Sequence, residues 1–370
     1  MDPTSVNPLT HAMPPPDFFR IYFGTQAKGD ERGIYMARFD AQTGQLSEPI
    51  LASDSVRPGF IVLHPDRQHL YAAEATGSAP DTGSGCVSAY RIEEPAGILK
   101  DLNTQSSGGA GPCYVSIDPD GKTLLVANYR SGSCAVLPIR SDGTLNKAAS
   151  IQQHCGSGPH RTRQEAAHTH SINCTPDGYF ALVADLGMDQ ILVYRLESGM
   201  LTPNNPPLNR TAPGSGPRHL AIHPSGKFIY ASMELNGTVV AYDYKEGILT
   251  EIQTRPTLPA GFDGENTTSE VCITPDGRFL YVGNRGHDSL AIFAIGPESG
   301  KLTPCGHEPT RGKHPRHFNI DPTGAFLIAA NMHSDNVVIF RIDRETGQLE
   351  FTGSEIRVPG VSCVKFLAVQ

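Results

Sequence analysis

The chain has 370 residues, more than the ~250–300 that one hydrophobic core usually supports, so it needs several domains or an array of repeats. A net charge of −8, with no basic stripe interleaved with aromatics, argues against a nucleic-acid surface, and no apolar run nears the ~20 residues that span a membrane. The 38 glycines and 30 prolines suit a turn-rich strand protein, and no composition shift or long linker divides the chain.

In chain order, Met1 to Pro16 holds five prolines and no apolar h-region, so 1–16 reads as a disordered tail rather than a signal peptide, and 17–370 as one domain. Ile21 to Gln26 follows as a strand, and Thr43-Gly44-Gln45-Leu46 as a turn. Then a tight turn recurs: Pro65-Asp66-Arg67, Pro119-Asp120-Gly121, Pro176-Asp177-Gly178, Pro224-Ser225-Gly226, Pro275-Asp276-Gly277 and Pro322-Thr323-Gly324, at intervals of 54, 57, 48, 51 and 47 residues. Proline presets φ and glycine accepts positive φ, so each triplet reverses the chain between two strands, as between Cys113–Ile117 and Thr123–Ala127. A third strand, a Gly-Leu turn such as Asp142-Gly143-Thr144-Leu145 and a fourth strand complete each unit.

A four-stranded unit at this period predicts an all-β fold, a β-propeller of antiparallel blades. Ile21 to Gln26 matches a second strand such as Ile229 to Glu234, and its missing first strand is supplied by Val361 to Phe366. The N- and C-terminal strands therefore close one shared blade, giving seven. With no tryptophan in the chain, the Trp-Asp repeat signature does not build these blades.

In a propeller the first strand of each blade lines the channel, so the start of strand one and the end of strand two share one mouth. Six residues before each turn proline stand Gly59, Cys113, His170, Arg218, Ser269 and Arg316, followed by Phe60, Tyr114, Ser171, His219, Glu270 and His317. Strand two ends on Gln26, Ala75, Tyr129, Leu186, Glu234, Arg285 and Met332. The long loops 154–168 and 256–268 open at the same face, where long loops on a rigid scaffold shape sites. His170, Arg218, Glu234, Arg285 and Arg316 should thus ring one mouth, with His168, His219, His317 and Tyr129 beside them as substrate contacts. Arginine forks bind carboxylate or phosphate and hold an oxyanion; glutamate or histidine moves a proton.

Each of these has a plainer reading. Arg218 and Arg316 sit in matching Pro-Arg-His triplets and could pair with carboxylates between blades, with Glu234 as such a partner. Arg285 could order its own loop, and His170 could be a satisfied structural histidine. His168 and His170 form a His-x-His pair, but no third ligand has diagnostic spacing, so no metal is expected, and no cofactor. Glu74, Asn128, Asp185, Asn284 and Asn331 are expected to cap the turns between strands two and three. Gly-Ser-Gly at 83–85, 156–158 and 214–216 lacks a following helix and reads as loop, and no nucleophile elbow is present. The eight cysteines form no C-x-x-C pair, which reads as small buried hydrophobes in a reducing cytoplasm.

The chain resembles the lactonase family of seven-bladed propellers, which includes the propeller-type 6-phosphogluconolactonases and the fungal carboxy-cis,cis-muconate cyclase. The matching stretches are Gly108 to Tyr129, His168-Thr169-His170-Ser171, Ala184 to Gly187, Gly214 to His219, Gln253 to Pro259 and Asn284 to His287. In the cyclase a histidine, two arginines and a glutamate are the proposed active site; by motif these fall on His170, Arg218, Arg285 and Glu234. The resemblance implies a metal-independent lactone hydrolase acting on 6-phosphogluconolactone, with a small anionic lactone or carboxylate as substrate. A lactone-forming cycloisomerase would use nearly the same residues, and a non-enzymatic binding propeller is the third reading. Oligomeric state is not legible in the sequence.

Overall fold

The computed structural model describes residues 18–74 and 85–369; the tail 1–16, Ala75 and most of the first Gly-Ser-Gly string lie outside them. Seven antiparallel sheets follow one another around a channel. The first blade joins both chain ends: Val361–Ala368 pairs with Phe18–Thr25, which pairs with Ile34–Asp40, and the outer strand is split into Gln45–Leu46 and Ile50–Ser53. The other six have four strands each, their inner strands being Pro58–Leu63, Pro112–Ile117, Thr169–Cys174, Pro217–Ile222, Thr267–Ile273 and Pro315–Ile320. The only helical pieces described are two single 3-10 turns, Gly29–Glu31 and Leu186–Met188, and no helix is long and apolar enough to cross a membrane.

The recurring turn does what its composition requires. Its third residue is left-handed in all six copies, Arg67 at φ 63° and the five glycines between 70° and 77°. Glycine takes that conformation without strain, and Arg67 is the one departure.

Apolar burial joins neighbouring blades rather than filling a centre: each core cluster combines residues of adjacent sheets, such as Phe180, Val193, Tyr230's neighbour Ile229 and Tyr242 between the fourth and fifth. A repeated latch reinforces these seams. The glycine of the turn between strands three and four lies flat against the first residue of the neighbouring blade's second strand: Gly247 on Phe180, Gly300 on Phe228, Gly347 on Phe279 and Gly44 on Phe326. A Cβ on any of them would sit within 2.6 Å of the ring, so the close approach needs glycine. Two residues along the second strand, Tyr22, Tyr71, Tyr230 and Tyr281 donate their hydroxyls to the carbonyls of Gly97, Gly143, Gly300 and Gly347, at 2.8–3.0 Å. Each such buried hydrogen bond contributes roughly 1 kcal/mol net.

Toward the mouth each inner strand carries a β-bulge. The pairing skips Gly59, Cys113, His170, Arg218, Arg316 and Ser362, and in the sixth blade Ser269 and Glu270 together. A bulge re-aims its extra residue, and here it does so around one ring. The residues before the mouth positions of strand two do not mainly cap the following turn. Asn128, Asn284 and Asn331, all fully buried, donate to Ser107, Thr257 and Thr310 carbonyls, so they tie in the loop arriving from the previous blade. Buried amide carbonyls there need donors, and the asparagine reaches them before the turn does.

Candidate functional site

The bulged residues divide into two kinds. Small ones fasten the ring: Cys113 reaches the Thr169 and His170 carbonyls, Ser269 the Pro315 carbonyl, and Ser362 the Gly59 carbonyl. The long ones, His170, Arg218 and Arg316, project into the channel mouth, where Glu234 and Arg285 arrive from the ends of second strands. Glu234 is fixed through its backbone, its N–H donating to the Gly216 carbonyl at 2.8 Å, and the Gly214 and Gly216 amides are held in turn by Asp189.

Glu234 is the hub. Its Oε2 lies 2.9 Å from Arg218 Nε, 3.0 Å from an Arg285 terminal nitrogen and 3.8 Å from His170 Nε2. Its Oε1 accepts from Arg163 at 2.5 Å. The carboxylate is 3% exposed. Burial alone would raise its pKa, but the guanidinium groups of Arg285, Arg218 and Arg163 together hold it well below the usual carboxylate range. Burial pushes Arg285 down to about 10, which leaves it a cation at neutral pH. His170 is driven well below the ordinary histidine range by burial and then by Arg218 and His219, so it is neutral. Its Nδ1 is buried without a hydrogen-bond partner.

Arg316 differs from the other arginines: it makes no hydrogen bond or ion pair among the described residues, and it borders a small cavity with Arg218, Cys113 and Gln26. The reading of Arg316 as an inter-blade ion-pair partner therefore has no support in the geometry, while Arg218 does pair with Glu234. Arg285 combines both readings, since it donates to the Thr268 carbonyl at 2.5 Å as well as facing Glu234.

Arg163 is the residue that sequence reasoning missed. It comes from the 154–168 loop, which was recognisable as long and mouth-facing, but no strand register points to one residue within it. Gln164, fully buried, pins that loop to the Leu186 carbonyl and Asp189, and His154 anchors its start on Asp185 at 2.7 Å. Arg163 also reaches the Tyr129 hydroxyl at 3.4 Å. Tyr129 stacks on His168 with ring centroids 4.6 Å apart, and His168 is held by the Tyr129 carbonyl and by Glu165. His168 thus supports the wall of the mouth, and it does not form a metal-ligating group with His170 among the described residues.

His219 and His317 lie one layer further down the channel. Both contact Glu270 Oε2 at 3.0 Å, His219 through Nδ1 and His317 through Nε2. His219 Nε2 then faces Arg218 at 3.3 Å. Phe60 and Tyr114 stack at 4.2 Å and close this layer, with Tyr114 edge-on to His219. The mouth therefore collects four arginines, one carboxylate and one neutral histidine over a plug of aromatic and histidine rings. Such a surplus of buried guanidinium charge attracts an anion and can stabilise a developing oxyanion. A larger cavity, about 550 Å³, lies at the opposite end beside Asp66 and Glu94; of its two arginines, Arg67 and Arg91, the second already pairs with Glu93.

Comparison with known proteins agrees with the fold. The model of the family described as "Lactonase, 7-bladed beta-propeller" matches residues 20–366. A Bacillus subtilis protein named 6-phosphogluconolactonase is 40% identical over 348 residues, covering 94% of this chain and 97% of that protein. One of the same name from Formosa agariphila is 34% identical, over 78% of this chain and 82% of its own. Among solved structures, a periplasmic gluconolactonase of Pseudomonas aeruginosa superposes with a TM-score of 0.88 at 33% identity, covering 95% of this chain and all of the other. A candidate 6-phosphogluconolactonase of Bacteroides fragilis gives 0.87 at 36% identity, over 95% and 98% of the two chains.

Proposed function

The chain belongs to the seven-bladed β-propeller lactonase family, and from that premise we propose that it opens the lactone ring of 6-phosphogluconolactone to give 6-phosphogluconate, without a metal. The observation that carries this reading is the set of three arginines gathered on a single carboxylate, with a fourth, Arg316, left unpaired beside them. Arg316 binds the phosphate, because an unpaired guanidinium at the mouth meets a dianion without first giving up another partner, and Arg163, the loop arginine that already shares Glu234, joins it. Arg218 and Arg285 face the lactone carbonyl and hold the oxyanion that forms when water adds.

His170 takes the proton from that water. Both Glu234 oxygens are already engaged by guanidinium groups, whereas the neutral imidazole has a nitrogen without a partner. Glu234 then serves as counter-ion, first to the arginines and then to the imidazolium 3.8 Å away. Ring opening follows as the carbonyl reforms and His170 returns the proton to the leaving hydroxyl oxygen. The cysteines form no disulfide among the described residues, which supports a reducing compartment such as the cytoplasm.

The test is hydrolysis of 6-phosphogluconolactone by chelator-treated protein, corrected for spontaneous opening, beside carboxymuconate as a competing substrate. Turnover of the lactone well above background is expected. Lactone formation from carboxymuconate with no lactone hydrolysis would replace this reading by the cycloisomerase.

A further inference from the structure

We propose a divalent-cation site, of the zinc type, formed by His64, Asp66 and His69 in the turn between the first two strands of the second blade, at the end of the propeller opposite the mouth. The three ligand atoms already lie within 4.8 Å of one another. His64 Nδ1 is 3.0 Å from one Asp66 oxygen, and His69 Nδ1 is 2.7 Å from the other. Two imidazole nitrogens and a carboxylate oxygen are a donor set that zinc takes readily, with water in a fourth position.

The other copies of the turn show why a cation is called for. His64 Nε2 contacts the Gly121 carbonyl at 2.7 Å, and since a carbonyl only accepts, Nε2 carries the hydrogen. The Nδ1 of neutral His64 is then a lone pair, and it faces a carboxylate oxygen that also only accepts. His223 occupies the same place in the fifth blade, with Nε2 3.0 Å from the Gly277 carbonyl, but its Nδ1 meets the Ser225 hydroxyl at 2.8 Å, which can donate. Thr175 with Asp177 and Thr274 with Asp276 likewise pair a hydroxyl donor with a carboxylate, at 2.6 Å. Backbone amides lean on both His64 and His223 at 3.1 Å, so they do not account for the difference. In the third blade both members are carboxylates, Asp118 and Asp120, but they turn to backbone amides and to Lys122; where the two side chains meet, only the second blade sets acceptor against acceptor, the arrangement a cation between them resolves.

His69 is the second departure from the repeat. Four blades hold phenylalanine at its position, Phe180, Phe228, Phe279 and Phe326, packed under the neighbouring glycine. His69 keeps that packing against Gly143 while adding a third ligand beside Asp66. The Gly121 carbonyl on His64 Nε2 fixes the tautomer that leaves Nδ1 without a hydrogen, the role outer partners play around metal-binding histidines. Because Gly121 and Gly143 both belong to the third blade, an ion here would hold the two histidines in their contacts with that blade, far from the mouth.

The repeat itself supplies substitutions compatible with the fold: His69→Phe, as in four blades, and Asp66→Ser, as in the fifth. Full-length chelator-treated protein would be dialysed against zinc alone and its bound metal counted, with cobalt(II) absorption reporting nitrogen ligation. The wild type should hold one equivalent more than either variant, and zinc should raise its melting temperature but not theirs. Lactone hydrolysis should be the same with and without zinc. Equal zinc content in all three proteins would overturn the site. So would nitrogen-15 spectra showing a proton on His64 Nδ1 under saturating zinc, which would make that proton the resolving cation.

Discussion

Two carboxylates are buried in the channel a layer apart, and they are treated in opposite ways. Glu234 is surrounded by guanidinium groups and is held ionised, while Glu270 is held by the rings of His219 and His317 and by the Val271 amide. Both are nearly inaccessible, 3% and 6% exposed. The difference lies in what each neighbour can do without its partner. Arginine stays charged when its counter-ion is lost, whereas a buried histidine simply stays neutral. The upper layer is thus a poised, charge-rich binding surface, and the lower one a hydrogen-bonded plug that sets its geometry.

Breaking the upper layer should have the largest effects. Glu234→Gln leaves three guanidinium groups around a neutral amide, and removing one member of a buried ion cluster costs about 3–5 kcal/mol. A clear drop in melting temperature and in activity is expected; denaturant unfolding indistinguishable from wild type would mean that the arginines need no counter-ion. His170→Gln removes the proposed base and keeps a polar side chain. It should fold normally and lose ~10²–10⁴ in kcat with KM little changed. Full activity in that variant would return the base to Glu234.

Acid separates the layers on a pH axis. His170 and His219 lie well below the ordinary histidine range and His317 near 3, in each case first because of burial. Below pH ~6.5 the unfolded chain binds protons that the folded one refuses, so stability should fall by about 1.4 kcal/mol per pH unit for each such histidine until the folded pKa is reached. Glu234, also depressed, adds its own loss only below about pH 4.5. Melting curves flat from pH 6.5 to 4.5 would show that these rings are charged in the folded state. Arg316→Gln is milder: it should raise KM ~10–100-fold by removing an anion contact, and leave stability unchanged or slightly higher because like charges are relieved. A lower melting temperature would restore a structural role to Arg316.

The blades were legible because a turn that needs left-handed residues repeats its composition wherever it occurs, and counting from it located the shared blade and the ring. The count also landed on the bulged residues, although a bulge has no signature of its own: His170, Arg218 and Arg316 stand six residues before a proline whether or not pairing skips them. Arg163 was not legible, since a loop held by buried side chains such as Gln164 has no period to count from. The depth of His219, His317 and Glu270 was equally hidden. Adjacent residues of one strand enter different layers, and which layer binds depends on partners brought from other blades.

The smallest predicted effect sharpens that last distinction. Glu270 accepts from His219 Nδ1, which leaves His219 Nε2 as an acceptor facing Arg218 at 3.3 Å, so Glu270 positions Arg218 through an intervening ring. Glu270→Gln keeps one oxygen for the histidines but turns an amide donor toward the Val271 N–H, a single mismatched hydrogen bond that costs ~1–2 kcal/mol of stability. Its kcat should stay within ~10-fold of wild type, because the tautomer of His219 survives. Glu270→Leu, which removes every acceptor, should lower kcat further, since His219 can then turn its hydrogen toward Arg218 and repel it. If Glu270→Gln were instead as inactive as His170→Gln while still folded, the lower carboxylate would belong to the chemistry itself, and the two layers would be one site.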